Sequence, residues 1–276
     1  MFAVSKAEKS YLLEAIALGT RVDGRSLLEY RPISVQVGVL PSASGSSRLR
    51  LGETEVLVGV KVEVGDVAEA STENIQIHFT VECSGSANAD FLGREAENWS
   101  SELQSALESA YQAANVFDED RLKLVPGKFC WVFNVDILVL DTGGNMLDAI
   151  SMATRAAFST TLIPRVYIQE NDGVFELEID DNPNACDRLH IHRAPTFLTF
   201  ALLGNNFVLD PSLQEETSAR GKFSVAVDTN GDISYVYSFG LLDGVEMSKL
   251  LTIVKKTGKL LLDRLDHSIE NDSSST

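Results

Sequence analysis

Basic residues are scarce: 23 lysines and arginines stand against 40 aspartates and glutamates, a formal net charge of −17. Free nucleic-acid binders draw most of their non-specific affinity from neutralising phosphates and releasing counterions. This chain lacks the cationic excess for that, so any RNA contact has to be local or shared with basic partners. Cysteine is scarce too. Cys83, Cys130 and Cys186 are odd in number and far apart, which excludes a disulfide framework and a zinc knuckle and fits a reducing compartment. No apolar run approaches the ~18–20 residues of a membrane-spanning helix. Met1-Phe2-Ala3-Val4-Ser5 has no basic stretch leading into an apolar one, so no cleaved signal peptide and no membrane partner are expected.

What remains is an ordinary globular composition, 44% hydrophobic and 23% charged over 276 residues, enough for one large domain or two closely packed halves. Ser5 with Glu8 forms a capping box and Gly19 supplies a stop, which predicts a helix within residues 1–20. Ile33, Val35, Val37 and Val39 alternate with other residues, the period of a strand with one buried face; Val56–Val64 and Ile75–Val81 repeat it. From Glu95 to Ala114 the period turns helical, with Trp99, Leu103, Leu107, Ala110 and Tyr111 on one stripe.

Trp131–Leu140 is apolar on both faces apart from Asn134 and Asp136, as a central strand is, and Gly143-Gly144-Asn145 leads into a second helix. The acidic stretch Glu178–Asn184 reads as an exposed loop. Strands are predicted at Pro195–Leu203, Phe207–Leu209, Phe223–Val227 and Ile233–Phe239, then a helix from about Val245 to Leu265. Residues 269–276 read as a disordered tail. Strands then a helix, twice over, indicate an α+β chain of mixed sheets with packed helices. Residues 21–268 read as one domain of two halves, about 21–177 and 185–268.

Four groups of residues invite a chemical reading. His190-Ile191-His192, with Cys186 and Asp187 nearby, has ligand-type side chains but no common metal spacing, and no metal is expected. Gly143-Gly144-Asn145 at a helix start is able to cradle a phosphate, but Met146 and Leu147 offer it no hydrogen bonds and Asp148 repels it. Asp210, Glu215 and Glu216 form a carboxylate cluster, for which a solvated loop is the plainer account. Arg94, Arg121, Lys123 and Lys128 are the local basic residues, and each also reads as an ordinary exposed side chain.

Taken together, several stretches resemble one family. Arg21-Val22-Asp23-Gly24-Arg25 followed by Arg31-Pro32-Ile33 looks like the opening of RNase PH-fold proteins. Gly45-Ser46-Ser47 and Gly52-Glu53-Thr54-Glu55-Val56 resemble their next segment. Gly144-Asn145-x-x-Asp148-Ala149 and Val208-Leu209-Asp210-Pro211-x-x-x-Glu215-Glu216 resemble exosome ring subunits of the non-catalytic type. The resemblance spans nearly the whole chain. It implies the RNase PH-like fold, with two similar halves in one domain.

Active members of that family degrade RNA from its 3′ end with inorganic phosphate. The resemblance places Met146 and Leu147 where they carry an Arg and a small hydroxyl residue, and Lys222 where they carry an acidic proton donor. The paired arginines that grip RNA reduce to Arg94 followed by Glu95. Losing one oxyanion-type contact commonly costs ~3 kcal/mol of transition-state stabilisation, so loss of three parts implies no catalytic residues, no cofactor and no enzyme.

The implied role is a structural subunit of the RNA exosome core ring, supporting 3′-to-5′ processing and degradation of RNA, ribosomal RNA included. Implied partners are other RNase PH-like subunits in a hetero-hexameric ring, cap subunits, and single-stranded RNA in the pore contacted by Arg94, Arg121 and Lys123. Residence in nucleus, nucleolus and cytoplasm is implied by the resemblance alone. The alternatives are a phosphorolytic 3′–5′ exoribonuclease, a contributor to a composite active site with a catalytic-type ring partner, and a free-standing interaction protein.

Overall fold

A computed structural model describes residues 4–66, 75–85, 94–117, 122, 124–125, 127–171, 174–180, 185–191, 193–240 and 244–273. Helix α1 (Lys6–Ala17) starts at the Ser5–Glu8 capping box, with both reciprocal hydrogen bonds present. Leu12 and Ile16 fix it against Ala201, Leu203 and Val208 of the far half of the chain. Strands β1 (Ile33–Val37), β2 (Gly45–Leu51), β3 (Thr54–Asp66) and β4 (Ile75–Cys83) follow, then helix α2 (Arg94–Ala114) and strand β5 (Phe129–Asp141). They form a five-stranded sheet in the order β1-β2-β3-β5-β4, antiparallel except for the β4–β5 pair. β5 lies inside the sheet, as its two-sided apolar pattern predicts.

Helix α3 (Met146–Thr160) is the centre of the molecule. Every residue from Asp148 to Phe158 is buried, because α3 packs on the first sheet and also on the second. A helix covered all round buries apolar side chains on every face, here Ala149, Ile150, Met152, Ala153, Ala156, Ala157 and Phe158, and its buried Asp148 and Arg155 are hydrogen-bonded to Thr199 and Asp266. Beyond it come β6 (Leu162–Pro164), β7 (Val166–Asn171), β8 (Val174–Ile179) and β9 (Cys186–Arg188), which pair as two small sheets, β6-β9 and β7-β8. The hairpin of β7 and β8 occupies part of a stretch whose acidic sequence reads as loop: Glu178 and Ile179 are strand residues.

The second sheet is antiparallel, in the order β11-β10-β12-β13, from β10 (Thr196–Leu203), β11 (Asn206–Leu209), β12 (Gly221–Val227) and β13 (Ile233–Gly240). A short helix, α4 (Leu213–Ser218), joins β11 to β12, and α5 (Gly244–Ser273) closes the chain. The structure corrects the disordered tail over residues 269–273, since α5 runs on to Ser273; residues 274–276 lie outside the described residues. Sequence polarity hides the reason: Ile269 is buried in the main core, and Asp272 accepts a hydrogen bond from Val37 N at 2.8 Å. One apolar residue and one edge-strand N–H thus hold the last two turns. No helix among the described residues is long and apolar enough to cross a membrane.

Candidate functional site

The Arg21–Arg25 and Arg31 segment, carried on the chain between α1 and β1, tucks into the junction of the two sheets. Arg31 donates from Nε to Asp210 Oδ2 (2.9 Å) and from Nη2 to Asp210 Oδ1 (2.7 Å), and its backbone N–H also reaches Asp210 Oδ2 (2.8 Å). Nη1 and Nη2 also donate to the carbonyls of Gly143 (2.9 Å) and Gly144 (3.0 Å) respectively. Arg25 Nη1 donates to Asp210 Oδ2 at 3.0 Å. Arg21 pairs with Glu215 through both carboxylate oxygens and donates to the carbonyls of Leu209 (2.8 Å) and Asp210 (2.9 Å).

Asp210 is fully buried and sits in the left-handed region at φ +50°. Glu215 closes a capping box with Ser212 at the start of α4. These two carboxylates are therefore not a solvated loop but the anionic ends of a buried network. Removing paired charges from water is costly unless every lone pair finds a donor, and here the donors come from three arginines and Asn145.

The Gly143-Gly144-Asn145 turn is held from the same side. Thr54 Oγ1 donates to Gly144 O (2.6 Å) and accepts from Gly143 N (3.0 Å). Gly144 has φ +95°, and a Cβ there would lie 2.4 Å from Leu213 N, so only glycine fits between the turn and α4. Asn145 also lies in the left-handed region (φ 54°) and gives no side-chain cap to α3; its Nδ2 donates instead to Asp148 Oδ2 (2.9 Å) and Asp210 Oδ1 (2.8 Å). Asp148, fully buried, accepts further bonds from Tyr30 Oη (2.8 Å), Thr199 N (3.0 Å) and Thr199 Oγ1 (2.6 Å). Burial pushes its carboxyl up to about 7 against the pull of those bonds.

Under the N-terminus of α3 lies a cavity of about 40 Å³, lined by Asn145, Met146 and Leu147, by Trp99 and Glu102 of α2, by Glu216 of α4, and by Lys222 and Tyr237. Lys222 Nζ donates to Glu216 Oε1 at 3.1 Å and lies 5.8 Å from the centre of the Trp99 ring. Tyr237 Oη donates to Glu102 Oε1 at 2.6 Å, and that neighbouring carboxylate pushes the phenol up to about 12. The cavity thus holds two carboxylates and one ammonium, already engaged.

Of the residues singled out in the sequence, the structure brings Met146, Leu147, Glu216 and Lys222 together. The side chains of Arg94, Arg121 and Lys123 lie outside the described residues, although Arg94 opens α2. His192 does too, while His190 is exposed, and no group of three metal-ligating side chains occurs among the described residues. Tyr30, Thr199, Glu102 and Tyr237 were not legible as site residues. Tertiary packing brings them here, Tyr30 from the segment before β1, Glu102 from α2, Thr199 from β10 and Tyr237 from β13.

Two sheets packed about a buried helix, with an N-terminal arginine segment locked into both, define an α+β protein of the RNase PH architecture. Residues 29–164 match the model of the 3′ exoribonuclease family, domain 1, and residues 194–259 match its domain 2. The exosome complex component Rrp42 of Thermococcus kodakarensis is 33% identical over 85% of this chain and 84% of its own. A relative in Dictyostelium discoideum, provisionally named exosome complex exonuclease RRP42, is 29% identical over 99% of this chain and all of its own. A chain of the Archaeoglobus fulgidus exosome, solved with RNA bound to the active site, superposes with a TM-score of 0.79 at 26% identity, covering 93% of this chain and 96% of that one. The chain belongs to the 3′ exoribonuclease (RNase PH) family, in which its relatives carry the name of exosome components.

Proposed function

We propose that this chain is a catalytically silent ring subunit of an RNA exosome, which closes the ring and helps guide single-stranded RNA without cleaving it. The observation that carries the reading is the Glu216–Lys222 pair in the cavity under α3. Phosphorolysis requires a phosphate held next to a proton donor, with positive groups facing its charge. In this cavity the one ammonium is neutralised by Glu216, Glu102 adds a second negative charge, and Met146 and Leu147 supply apolar side chains at the helix end. Burial alone would lower the pKa of Lys222, but the carboxylates around it, Glu216 foremost, together raise it, which makes it a poor acid near neutral pH.

The names of the relatives and the exosome assembly containing the matching chain support the ring assignment. Ring partners of the RNase PH-like type, cap subunits and RNA in the pore follow from it. Arg94, Arg121 and Lys123 are the RNA contacts of this reading, and nucleus, nucleolus and cytoplasm its location, which imaging of a fluorescent fusion checks. The decisive experiment is phosphate-dependent RNA decay by the chain alone and with an active-type ring partner. The reading requires no nucleoside diphosphate from the isolated chain and a hexamer-sized particle with the partner.

A further inference from the structure

Helix α5 buries one face and leaves the other to solvent. Leu250, Val254, Leu261, Leu262 and Leu265 enter the core, and Gly258 lies so close to β12 that a Cβ would stand 2.7 Å from Val227 Cγ1. The helix is thus firmly seated on the second sheet along this stretch. The opposite face carries Lys249, Thr252, Lys255, Lys256, Lys259 and Leu260, all exposed. At 3.6 residues per turn these positions share one side of the helix, and Lys249 to Leu260 spans about 16 Å.

This stripe departs from the charge pattern of the chain. From Met247 to Leu262 there are four lysines and no acidic residue, in a protein of net charge −17. Elsewhere carboxylates meet the cations: Arg48 pairs with Glu55, Lys61 with Glu63, Arg155 with Asp266 and Lys222 with Glu216. None of the four α5 lysines has an ion pair among the described residues. Lys255 and Lys259 stand at i,i+4, and Lys256 and Lys259 at i,i+3, spacings at which like charges destabilise a helix. They also lie far from the last turn, where the helix dipole favours cations. One turn beyond Lys256 and next to Lys259, Leu260 is 53% exposed. The fold gains nothing from this repulsion or from an uncovered leucine beside it.

We infer that this face of α5 is a docking surface for an acidic segment of a protein partner, whose carboxylates meet the four lysines and one apolar side chain of which covers Leu260. Charge complementarity selects an anionic partner, and Leu260 selects among anionic partners. A phosphate backbone offers an exposed leucine nothing. From Lys249 to Leu260 there is also no aromatic ring to stack a base and no arginine fork to grip a phosphate. Carboxylates set around an apolar residue satisfy both parts of the stripe. No residue of the cavity under α3 takes part, so the docking surface stands or falls apart from the silent reading.

The test is fluorescence anisotropy of the full chain with a fluorescein-labelled peptide of glutamates around one central leucine, in low salt, where exposed charges are little screened. Lys255→Gln/Lys256→Gln/Lys259→Gln is expected to weaken binding about tenfold, as loss of three exposed ion pairs does. Leu260→Ser is expected to weaken it about fivefold. That second effect should vanish with a peptide whose leucine is replaced by serine, because contacting residues are energetically coupled. The triple variant should melt no lower than the wild type, since it removes repulsion and no contact. No saturable binding to the wild type, equal affinity for the triple variant, or an equal effect of Leu260→Ser on both peptides overturns the inference. Tighter binding of a single-stranded oligouridylate through the same lysines overturns it in favour of a nucleic-acid surface. A wild-type dimer in sedimentation that the triple variant dissolves gives the face to a second copy, and a lower melting temperature of that variant gives the lysines to the fold; either overturns it too.

Discussion

Arg31 and Asp210, 179 residues apart in the chain, meet side to side, the guanidinium giving Nε and Nη2 to the two carboxylate oxygens at 2.9 and 2.7 Å. The pair joins the segment before the first sheet to the loop after β11 in the second. The same guanidinium holds the Gly143–Gly144 turn that sets the start of α3. One guanidinium therefore ties the two sheets to the turn that starts α3.

Asp210→Ala leaves Arg31 and Arg25 buried without their anion. Breaking one side of such a pair costs about 3–5 kcal/mol. Urea denaturation of Asp210→Ala should show a loss of that size, and a loss below about 1 kcal/mol would mean the network contributes little.

The raised Asp148 carboxyl predicts that stability falls as pH rises from about 4 towards 7 and levels off above it. Its folded-state pKa is raised from 3.8 to about 7 by burial. A carboxyl that holds its proton more tightly when folded stabilises the fold at low pH and loses that contribution as pH climbs towards the folded value. Between pH 5 and 8, wild-type stability should decline relative to Asp148→Asn, whose side chain does not titrate. Parallel pH profiles for the two proteins would contradict this.

Lys222→Asp places a carboxylate where the family resemblance implies that active members carry one, yet it should not create activity. The change removes the partner of Glu216 and puts a third carboxylate beside Glu216 and Glu102 in the cavity. A stability loss of about 1–3 kcal/mol and no phosphate-dependent RNA decay are expected. Decay by this single variant would mean that the missing acid alone silences the chain.

The last turns of α5 are structural. Ile269→Ala removes a side chain that is 4% exposed in the main core, for which about 2–4 kcal/mol is expected. An unchanged denaturation midpoint would show that the end of the helix does not dock.

The elements were largely legible because their periods are clean. Val35, Val37, Val56, Val58 and Val60 alternate, the α2 stripe repeats at three and four, and Ser5 with Glu8 announces a helix start. The β7–β8 hairpin and the end of α5 were not, since acidic strands and a polar tail look like solvent until one sees what they pair with. The site divides the same way. Met146, Leu147 and Lys222 follow from motif positions, whereas the partners that decide their chemistry, Glu216 with Lys222 and Tyr237 with Glu102, meet only through the packing of α2, α4 and two strands. Burial also reversed the plain reading of Asp210 and Glu215, because charge in a sequence says nothing of the arginines that will surround it.

The account turns on whether this subunit cleaves RNA. The most direct measurement follows a 3′-labelled single-stranded RNA in inorganic phosphate with the purified chain alone, alongside an active-type ring partner and the mixture. The account predicts no nucleoside diphosphate from the chain alone, and a hexamer-sized particle in the mixture. Phosphate-dependent release of nucleoside diphosphates by the isolated chain would contradict it and make this subunit an enzyme.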